Sequence, residues 1–369
     1  MEEWKDITIR EIAILKNGKK KPSAQGLIPV YGGNGIMDYV DSHNDEDCIA
    51  IGRVGAYCGC VYLTKGKVWI SDNAISAKAN SNANNIFLYY LLGSLNLNRY
   101  RIGGAQPLMT QDLIGRIKVS LPSIEEQRSI ASILSSLDDK IAVNRRICEN
   151  LEGQAQALFK HWFIDFAPFK NGKFVESELG MIPEGWRVGS PYKYVDFIYG
   201  APYKSNLFND KKEGLPLIRI RDLKDCSPQF YTPEILPKTE YVKAGDILAG
   251  MDAEFAPYIW KGQKGLLNQR VCKIKPKNTS IGRLFCMLLV KPQLLFVQAV
   301  KTGTTVSHIG KSDIDRFKVV LPPFEEVVRF SIIGEEILEA IVTLSAENLR
   351  LSTLRDTLLP KLMSGQIKV

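Results

Sequence analysis

The sequence predicts an α+β protein that contains one structural unit twice, and each unit is a mixed α/β globular domain followed by a long helix. Three observations lead to this prediction: an internal repeat, an alternation of charge along the chain, and two long stretches of helical periodicity. We expect the domains at residues 1–120 and 167–320 and the helices at residues 121–166 and 321–369. The helices are expected to run antiparallel as a coiled-coil-like spacer between the domains, giving a pseudo-two-fold internal repeat.

The internal repeat is clearest where each domain ends. Residues 115–130 read GRIKVSLPSIEEQRSI and residues 315–330 read DRFKVVLPPFEEVVRF, so Lys-Val-x-Leu-Pro-x-φ-Glu-Glu occurs twice, where φ is an apolar residue. Looser correspondences lie upstream, and they pair Trp4 with Trp186, Gly103 with Gly303, residues 48–55 with 246–253, and residues 73–78 with 268–273. Similarity is good at the unit ends and poor in the middle, which predicts two domains of one fold with different binding surfaces.

The net charge of +8 is unevenly distributed along the chain. The four segments defined above carry net charges of +3, −2, +9 and −2 in chain order. A general surface bias would not alternate in this way. The basic excess of the two domains therefore indicates a polyanionic partner for each of them.

The segment after Pro122 has the features of a long helix. Ser123 is a plausible N-cap, and the acids Glu125 and Glu126 fall in the first turn, where unpaired N–H groups favour negative charge. Apolar residues then recur at alternating spacings of four and three, which is typical of a coiled-coil seam, and Asn144 takes one seam position. The predicted seam of this helix comprises Ile130, Leu134, Leu137, Ile141, Asn144, Cys148, Leu151, Ala155, Leu158 and Trp162.

The second copy predicts a helix from Glu325 to Lys361 that is ended by Pro360 and capped by Gly365. Its predicted seam comprises Phe330, Ile333, Ile337, Ile341, Leu344, Leu351, Leu354, Leu358 and Leu362. A helix of ~38–40 residues is ~57–60 Å long and needs a partner for its apolar stripe. Each helix can pack on its own domain or on the other helix. We favour pairing, because such a helix exceeds one face of a domain, and Asn144 would then fix register more than stability.

Cysteine usage and hydropathy argue against several classes of protein. The seven cysteines form no C-x-x-C pair and the chain has only three histidines, so we expect reduced thiols and no metal site. No apolar run approaches the ~20 residues of a membrane span. Residues 1–12 lack the basic and apolar regions of a signal peptide. We therefore expect a cytoplasmic protein with no membrane partner.

No catalytic motif in the sequence is complete. Residues 321–324 (LPPF) resemble the Asn/Asp-Pro-Pro-Tyr/Phe motif of amino-methyltransferases but lack the side chain that would hold the target amino group. Residues 310–312 (GKS) lack the glycine spacing of a P-loop, and residues 32–35 (GGNG) do not complete a dinucleotide fingerprint. The three histidines have no nucleophile or carboxylate motif beside them. We expect a chain that has no catalytic activity and binds no cofactor.

Basic and amide side chains of both domains are the candidate DNA contacts. Arg, Asn and Gln can bond base edges in pairs, whereas Lys, Ser and Thr more often contact phosphate. The candidates of the first domain are Lys19, Lys20, Lys21, Arg53, Lys78, Arg99, Tyr100 and Arg101. Those of the second domain are Lys204, Arg219, Arg221, Lys261, Lys264, Gln269, Arg270, Lys301, Thr302 and Thr304. For any single residue the alternative is a solvated surface charge.

Five features together resemble the specificity subunit of type I restriction–modification systems. They are residues 121–141 (LPSIEEQRSIASILSSLDDKI), the stretch from Asn144 to LFKHWFIDF at 158–166, residues 178–186 (ELGMIPEGW), the tail at 354–365 (LRDTLLPKLMSG), and the two-unit layout.

The resemblance implies two target-recognition domains that each read one half of a bipartite site in double-stranded DNA, with the helices as a ruler across unread bases. It also implies two methylation subunits docked on the helices, which bind S-adenosylmethionine and modify adenine, and restriction subunits outside them. Two alternatives remain. One is a standalone sequence-specific DNA-binding regulator, and the other is a DNA-modifying enzyme with an unrecognised site.

Overall fold

The computed structural model describes residues 4–103, 107–301 and 308–369, and the chain divides into two compact units. The first unit comprises Met1–Ile141 and Arg350–Val369, and the second comprises Ala142–Leu349. The candidate residues Thr302 and Thr304, and Gly303 of the repeat, lie outside the described residues.

Strands outnumber helices in the domain of the first unit. Its elements are β1 (Lys5–Thr8), α1 (Ile9–Ile12), β2 (Ala13–Asn17), β3 (Gln25–Gly32), β4 (Gly35–Val40), β5 (Asp45–Glu46), β6 (Ile49–Gly52), β7 (Val61–Leu63), β8 (Lys67–Ile70), β9 (Ala74–Ala79), α2 (Asn85–Ser94), α3 (Gln111–Gly115), β10 (Lys118–Leu121) and the start of α4 (Ile124–Phe163). One antiparallel sheet has the order β2-β9-β6-β7. A second has the order β4-β3-β8-β5, in which β3 and β8 are parallel. The strand β1 pairs with β10 just before α4.

The core of the first unit lies between its first sheet and α2. Asn84 caps α2 by accepting a hydrogen bond from the backbone N–H of Phe87. Side chains alternate across β6 and β9, and one face places Ile51 and Ile75 in the same buried cluster as Phe87 and Leu91 of α2. On the other face Ala50 and Ala74 belong to a second buried cluster with residues of β8, so these central strands are buried on both faces.

The second unit repeats this arrangement. Its elements are β11 (Phe174–Ser177), β12 (Gly180–Pro183), β13 (Arg187–Gly189), β14 (Val195–Tyr199), β15 (Leu215–Ile218), β16 (Tyr231–Thr232), β17 (Tyr241–Val242), β18 (Ile247–Gly250), β19 (Pro257–Ile259), β20 (Gly265–Leu267), β21 (Val271–Pro276), α5 (Arg283–Lys301), α6 (Lys311–Ile314), β22 (Val319–Leu321) and α7 (Phe324–Met363). Its sheets have the orders β14-β21-β18-β19 and β16-β15-β20-β17, with β15 and β20 parallel, and β13 pairs with β22.

The prediction of two similar domains of mixed helices and strands is confirmed, because the two units share strand order and direction sheet by sheet. The equivalence of Trp4 and Trp186 also holds, since each directly precedes the strand that pairs with the last strand of its domain. Sequence similarity at the unit ends thus reflects one fold used twice.

The strand registers correct one of the looser alignments. Gly52 lies opposite Ala74 and Gly250 lies opposite Val271, which makes Ala74 and Val271 equivalent. Asn73 therefore corresponds to Arg270, and the predicted pairing of residues 73–78 with 268–273 is two residues out of register. A two-residue shift leaves the alternation of buried and exposed side chains unchanged, so the sequence pattern cannot detect it.

Both long helices contribute to the domain cores. In the second unit Phe159 and Phe163 of α4 and Phe330 and Ile341 of α7 belong to one buried cluster with Phe285 of the domain. In the first unit the buried cluster contains Ile130, Ala131 and Leu134 of α4, Leu362 of α7 and the residues of α2, with Leu358 and Leu359 packed against it. Within each unit, residues of both helices therefore share one buried cluster with the domain.

The apolar seam agrees with the sequence along α4 and differs along α7. Every predicted seam residue of α4 is buried or half-buried. In α7 the buried positions are Val327, Phe330, Ser331, Gly334, Leu338, Ile341 and Leu362, whereas Ile333 is 38% and Leu354 47% exposed. The predictions for Ile333 and Leu354 are therefore wrong. Around Ile333 the helix buries the residues on the face that meets the domain. The helix also runs one turn past Pro360, and Gly365 closes it with a positive φ of 68°.

One described helix, α5, is long and apolar enough by length and composition to cross a membrane. The sequence prediction concerned uninterrupted apolar runs, and Lys291 and Gln293 interrupt the run in α5, so the helix reaches this limit only in its mean hydropathy. Leu284 to Val290 are buried in the second unit and pack in its core. Burial within the domain accounts for the apolar character of α5.

Candidate nucleic-acid interface

Four of the predicted DNA contacts lie together in the second unit. Arg219, Arg221, Gln269 and Arg270 line a concave pocket of about 670 Å³. The pocket lies where several strands end. Arg219 and Arg221 follow β15, and Gln269 and Arg270 lie between β20 and β21. Because β15 and β20 run parallel with Ile218 opposite Leu267, the residues after both strands emerge at the same edge of the sheet.

Asp252 organises one side of this pocket. Its carboxylate pairs with Arg270 Nη1 and lies 2.6 Å from His308 Nδ1. Burial alone would raise the pKa of Asp252, but the hydrogen bonds from Arg270 and His308 outweigh it and hold the pKa below its ordinary value. The carboxylate is therefore charged at neutral pH and fixes both partners.

The rest of the pocket wall mixes donors with acceptors. Glu254 accepts a hydrogen bond from the Tyr258 hydroxyl, and Asn268 accepts one from the backbone N–H of Arg270 at 3.1 Å. The guanidinium of Arg219 lies over the ring of Phe230, 5.2 Å from its centroid. The pocket carries both signs of charge and two amides, Asn268 and Gln269. Such a surface matches the donors and acceptors of a base edge better than it matches a row of phosphates.

Sequence reasoning missed Asp252, Glu254 and His308, because it selected basic side chains and the amides beside them. The repeat held a signal for one of them. Residues 246–253 align with 48–55, so Asp252 follows the same buried strand end as Val54 in the first unit. A charged residue directly after a buried strand is a candidate for a strand-end site.

The remaining candidates of the second unit have other surroundings. Lys261 Nζ pairs with Glu152 of α4 at 2.7 Å, and Lys264 Nζ lies 4.6 Å from the ring centroid of Tyr241 at the amino end of β20. Lys301 Nζ donates to the His308 carbonyl at 2.7 Å and to Asp313 at 2.8 Å. Lys204 is exposed beside Tyr203 and Ser205 of the pocket wall. The structure thus brings only Lys204 of these four to the rim of the pocket.

In the first unit the equivalent strand ends gather a different set of side chains. The backbone N–H of Lys19 donates to the carbonyl of Ile70, which ends β8, and that of Arg53 donates to the carbonyl of Asn73, which precedes β9. Lys19 and Arg53 therefore lie at the same edge. Lys20 is exposed next to Lys19, while Lys21 forms an ion pair with Asp38 of β4.

The segment with Arg99, Tyr100 and Arg101 flanks this edge. All three side chains are exposed, and the preceding Asn98 packs on Gly59, where a Cβ would lie 2.7 Å from the Asn98 nitrogen. A backbone bridge between Val54 and Leu108 brings the chain after Arg101 back to the strand end. Lys78 lies toward the other end of β9, where its Nζ donates to the Glu46 carbonyl at 2.9 Å.

The fold and these two edges define a class of protein: a duplicated recognition domain whose equivalent edges carry different polar side chains. The chain matches the family model described as "Type I restriction modification DNA specificity domain" over residues 1–153 and 199–356. It therefore belongs to this family of DNA specificity proteins, and the resemblance given by the sequence motifs is confirmed.

Individual relatives agree with this assignment. The chain is 29% identical over 309 residues to the type I restriction enzyme MjaIX specificity subunit of Methanocaldococcus jannaschii, in an alignment that covers 77% of this chain and 69% of that protein. It is 23% identical over 402 residues to the MjaVIII specificity subunit of the same organism, in an alignment that covers 100% of this chain and 94% of that protein. The crystal structure of the type I restriction–modification S subunit from M. genitalium has the same fold, with a TM-score of 0.61 at 16% identity over 97% of this chain and 96% of that one.

Proposed function

We propose that this chain is the DNA sequence-specificity subunit of a type I restriction–modification complex, and that its two units each read one half of a bipartite, asymmetric site. The observation that carries the proposal is the pair of equivalent strand-end edges. Arg53 of the first unit corresponds to Met251, and Arg270 of the second unit corresponds to Asn73. Base pairs differ in the donors and acceptors they present in the major groove, so edges with different side chains select different sequences.

We infer that the long helices form an antiparallel pair that sets the spacing between the half-sites. Contacts inside the second unit support this: Asn144 Nδ2 donates to Asn348 Oδ1 at 3.0 Å, and the rings of Phe159 and Phe330 lie 5.6 Å apart. Inside the first unit Arg355 Nη1 donates to Asp138 Oδ1 at 2.5 Å. Within the second unit, higher residue numbers in α4 are thus paired with lower residue numbers in α7, which supports an antiparallel orientation. A helix has a fixed rise per residue, so its length is a defined spacer.

We further propose that the chain supplies recognition alone. Two methylation subunits, which carry S-adenosylmethionine, would dock on the helices, and restriction subunits would join the assembly. The family description, which names DNA specificity, supports this division. Double-stranded DNA is then the substrate of the assembly, and this chain determines where on the DNA the assembly acts.

Two measurements in the native host test this proposal. A tagged chain is expected to co-purify with an adenine methyltransferase, and deletion of its gene is expected to abolish methylation at one bipartite motif. Methyl transfer or DNA cleavage by the purified chain alone would contradict the proposal. Specific DNA binding without any methyltransferase partner, and with an unchanged methylation map, would favour the standalone regulator.

A further inference from the structure

We propose that Arg270 reads a guanine in the half-site of the second unit, and that Asp252 is the positioning residue that aims its guanidinium. This inference rests on the proposed function and names the base and the residue pair that this function leaves open.

Arg270 combines a fixed backbone with an accessible side chain. Its backbone N–H donates to Asn268 Oδ1, and its carbonyl accepts from the Met251 N–H at 2.9 Å. The side chain is nevertheless 58% exposed. Its contact with Asp252 engages Nη1, and a guanidinium carries five N–H donors in a planar fork, so donors remain for an outside acceptor.

Asp252 is placed to hold the guanidinium of Arg270 in one position. Its side chain is only 13% exposed, and it is held from the other side by His308 Nδ1. The turn that carries it is tight, because a Cβ on Gly250 would lie 2.1 Å from the Glu254 carbonyl oxygen. Ala253 within the turn has a φ of +58°, which L residues rarely adopt and which occurs preferentially at functional sites. The carboxylate is therefore placed by strained backbone and by two partners.

The charges around Arg270 favour a base over a phosphate. Asp252 and Glu254 line the pocket together with three arginines, so acceptors stand among its donors, as they do on a base edge, whereas a phosphate presents acceptors alone. The major-groove edge of guanine offers two adjacent acceptors, O6 and N7, and arginine bonds both in the commonest specific protein–DNA contact. An arginine held by a carboxylate in a mixed pocket fits that edge.

The test uses the chain assembled with its methylation subunits and duplexes that carry the methylated motif mapped in the host. Each guanine of the motif is replaced in turn by 7-deazaguanine, which lacks the N7 acceptor, and binding is measured by fluorescence anisotropy. The wild-type assembly is expected to lose about 5- to 150-fold in affinity at a guanine read by a bidentate arginine. Arg270→Ala is expected to remove that penalty at one guanine only. Arg187→Ala, at an exposed arginine of β13 in the same unit, should leave every penalty unchanged.

Asp252→Asn keeps the shape of the support but removes its charge, and we expect it to reduce the penalty at the same guanine. Affinity for random DNA and the thermal unfolding midpoint show whether each variant is folded, and Arg270→Lys provides a milder change at the same position. The inference is overturned if both Arg270 variants keep the wild-type penalty at every guanine, or if the motif contains no guanine. A uniform loss with a flatter salt dependence would make Arg270 a phosphate contact and would also overturn it. If the wild-type assembly does not prefer its motif over random DNA, the proposed function itself fails.

Discussion

Phe330 of α7 is the residue where the second domain and the long helices depend most directly on each other. Its side chain is fully buried, and its ring lies 5.6 Å from that of Phe159, 5.4 Å from Phe163 and 6.1 Å from Phe285. Phe330→Ala removes this ring from a site shared by two long helices and α5. Truncation of a buried phenylalanine costs about 3–5 kcal/mol, through lost burial and the cavity that remains.

The change is expected to lower the free energy of unfolding of the second unit by that amount. For a unit of this size each kcal/mol shifts the midpoint by about 2–4 °C, which predicts a fall of about 6–20 °C. Hydrogen exchange followed by mass spectrometry assigns the loss to one unit or the other. Peptides from residues 195–300 should exchange faster, and peptides from residues 5–100 should keep their wild-type rates.

Phe324→Ala in the same helix is the matched control, because this phenylalanine is 45% exposed. We expect it to change stability by less than about 1 kcal/mol. Equal effects of the two substitutions would refute the reasoning that α7 completes the core of the second unit. So would a loss of protection confined to α7 that leaves the domain unaffected.

Four further predictions follow from the structure. Leu338→Ala should cost about 2–5 kcal/mol in urea unfolding, whereas Ile333→Ala should cost less than about 1 kcal/mol; the reverse order would restore the seam predicted from the sequence. Asp138→Ala should destabilise the first unit by about 1–3 kcal/mol, because its carboxylate accepts hydrogen bonds from both the Tyr90 hydroxyl and Arg355, and an unchanged urea midpoint would count against this network. Lys261→Met should cost less than about 1 kcal/mol and leave base discrimination unchanged, since its ammonium pairs with α4; altered discrimination would return it to the DNA interface. Gly250→Ala should impair recognition of one half-site only, as judged from the methylation map, and intact recognition would show that the turn tolerates a Cβ.

The repeat and the long helices were predictable from sequence because both depend on patterns among residues that are close together in the chain. The α4 seam follows from alternating spacings of four and three, and residues 115–130 and 315–330 mark the same point in each unit. Ile333 shows the limit of this reasoning. An apolar stripe on a helix reveals that a face is buried, but the neighbouring domain determines which of two adjacent residues, Ile333 or Gly334, faces inward.

The candidate interface was predicted only in part, because its partners come from distant parts of the chain. Arg219, Arg221, Gln269 and Arg270 were selected by residue type and do share one pocket. Asp252 was not selected, because the sequence does not show which acidic side chain pairs with the basic ones. Conversely, Lys261 has the right charge, but its partner Glu152 lies more than a hundred positions away in sequence. Residue type indicates which side chains can contact DNA, but only the fold determines which of them lie together.

The central claim is that each unit independently reads one half of a bipartite site. Exchange of residues 1–120 for the corresponding domain of another family member, followed by mapping of methylated adenines in the host, tests it most directly. The account predicts a new sequence in one half-site, with the other half-site and the number of unread bases between them unchanged. A change in both half-sites, or in neither, would contradict it.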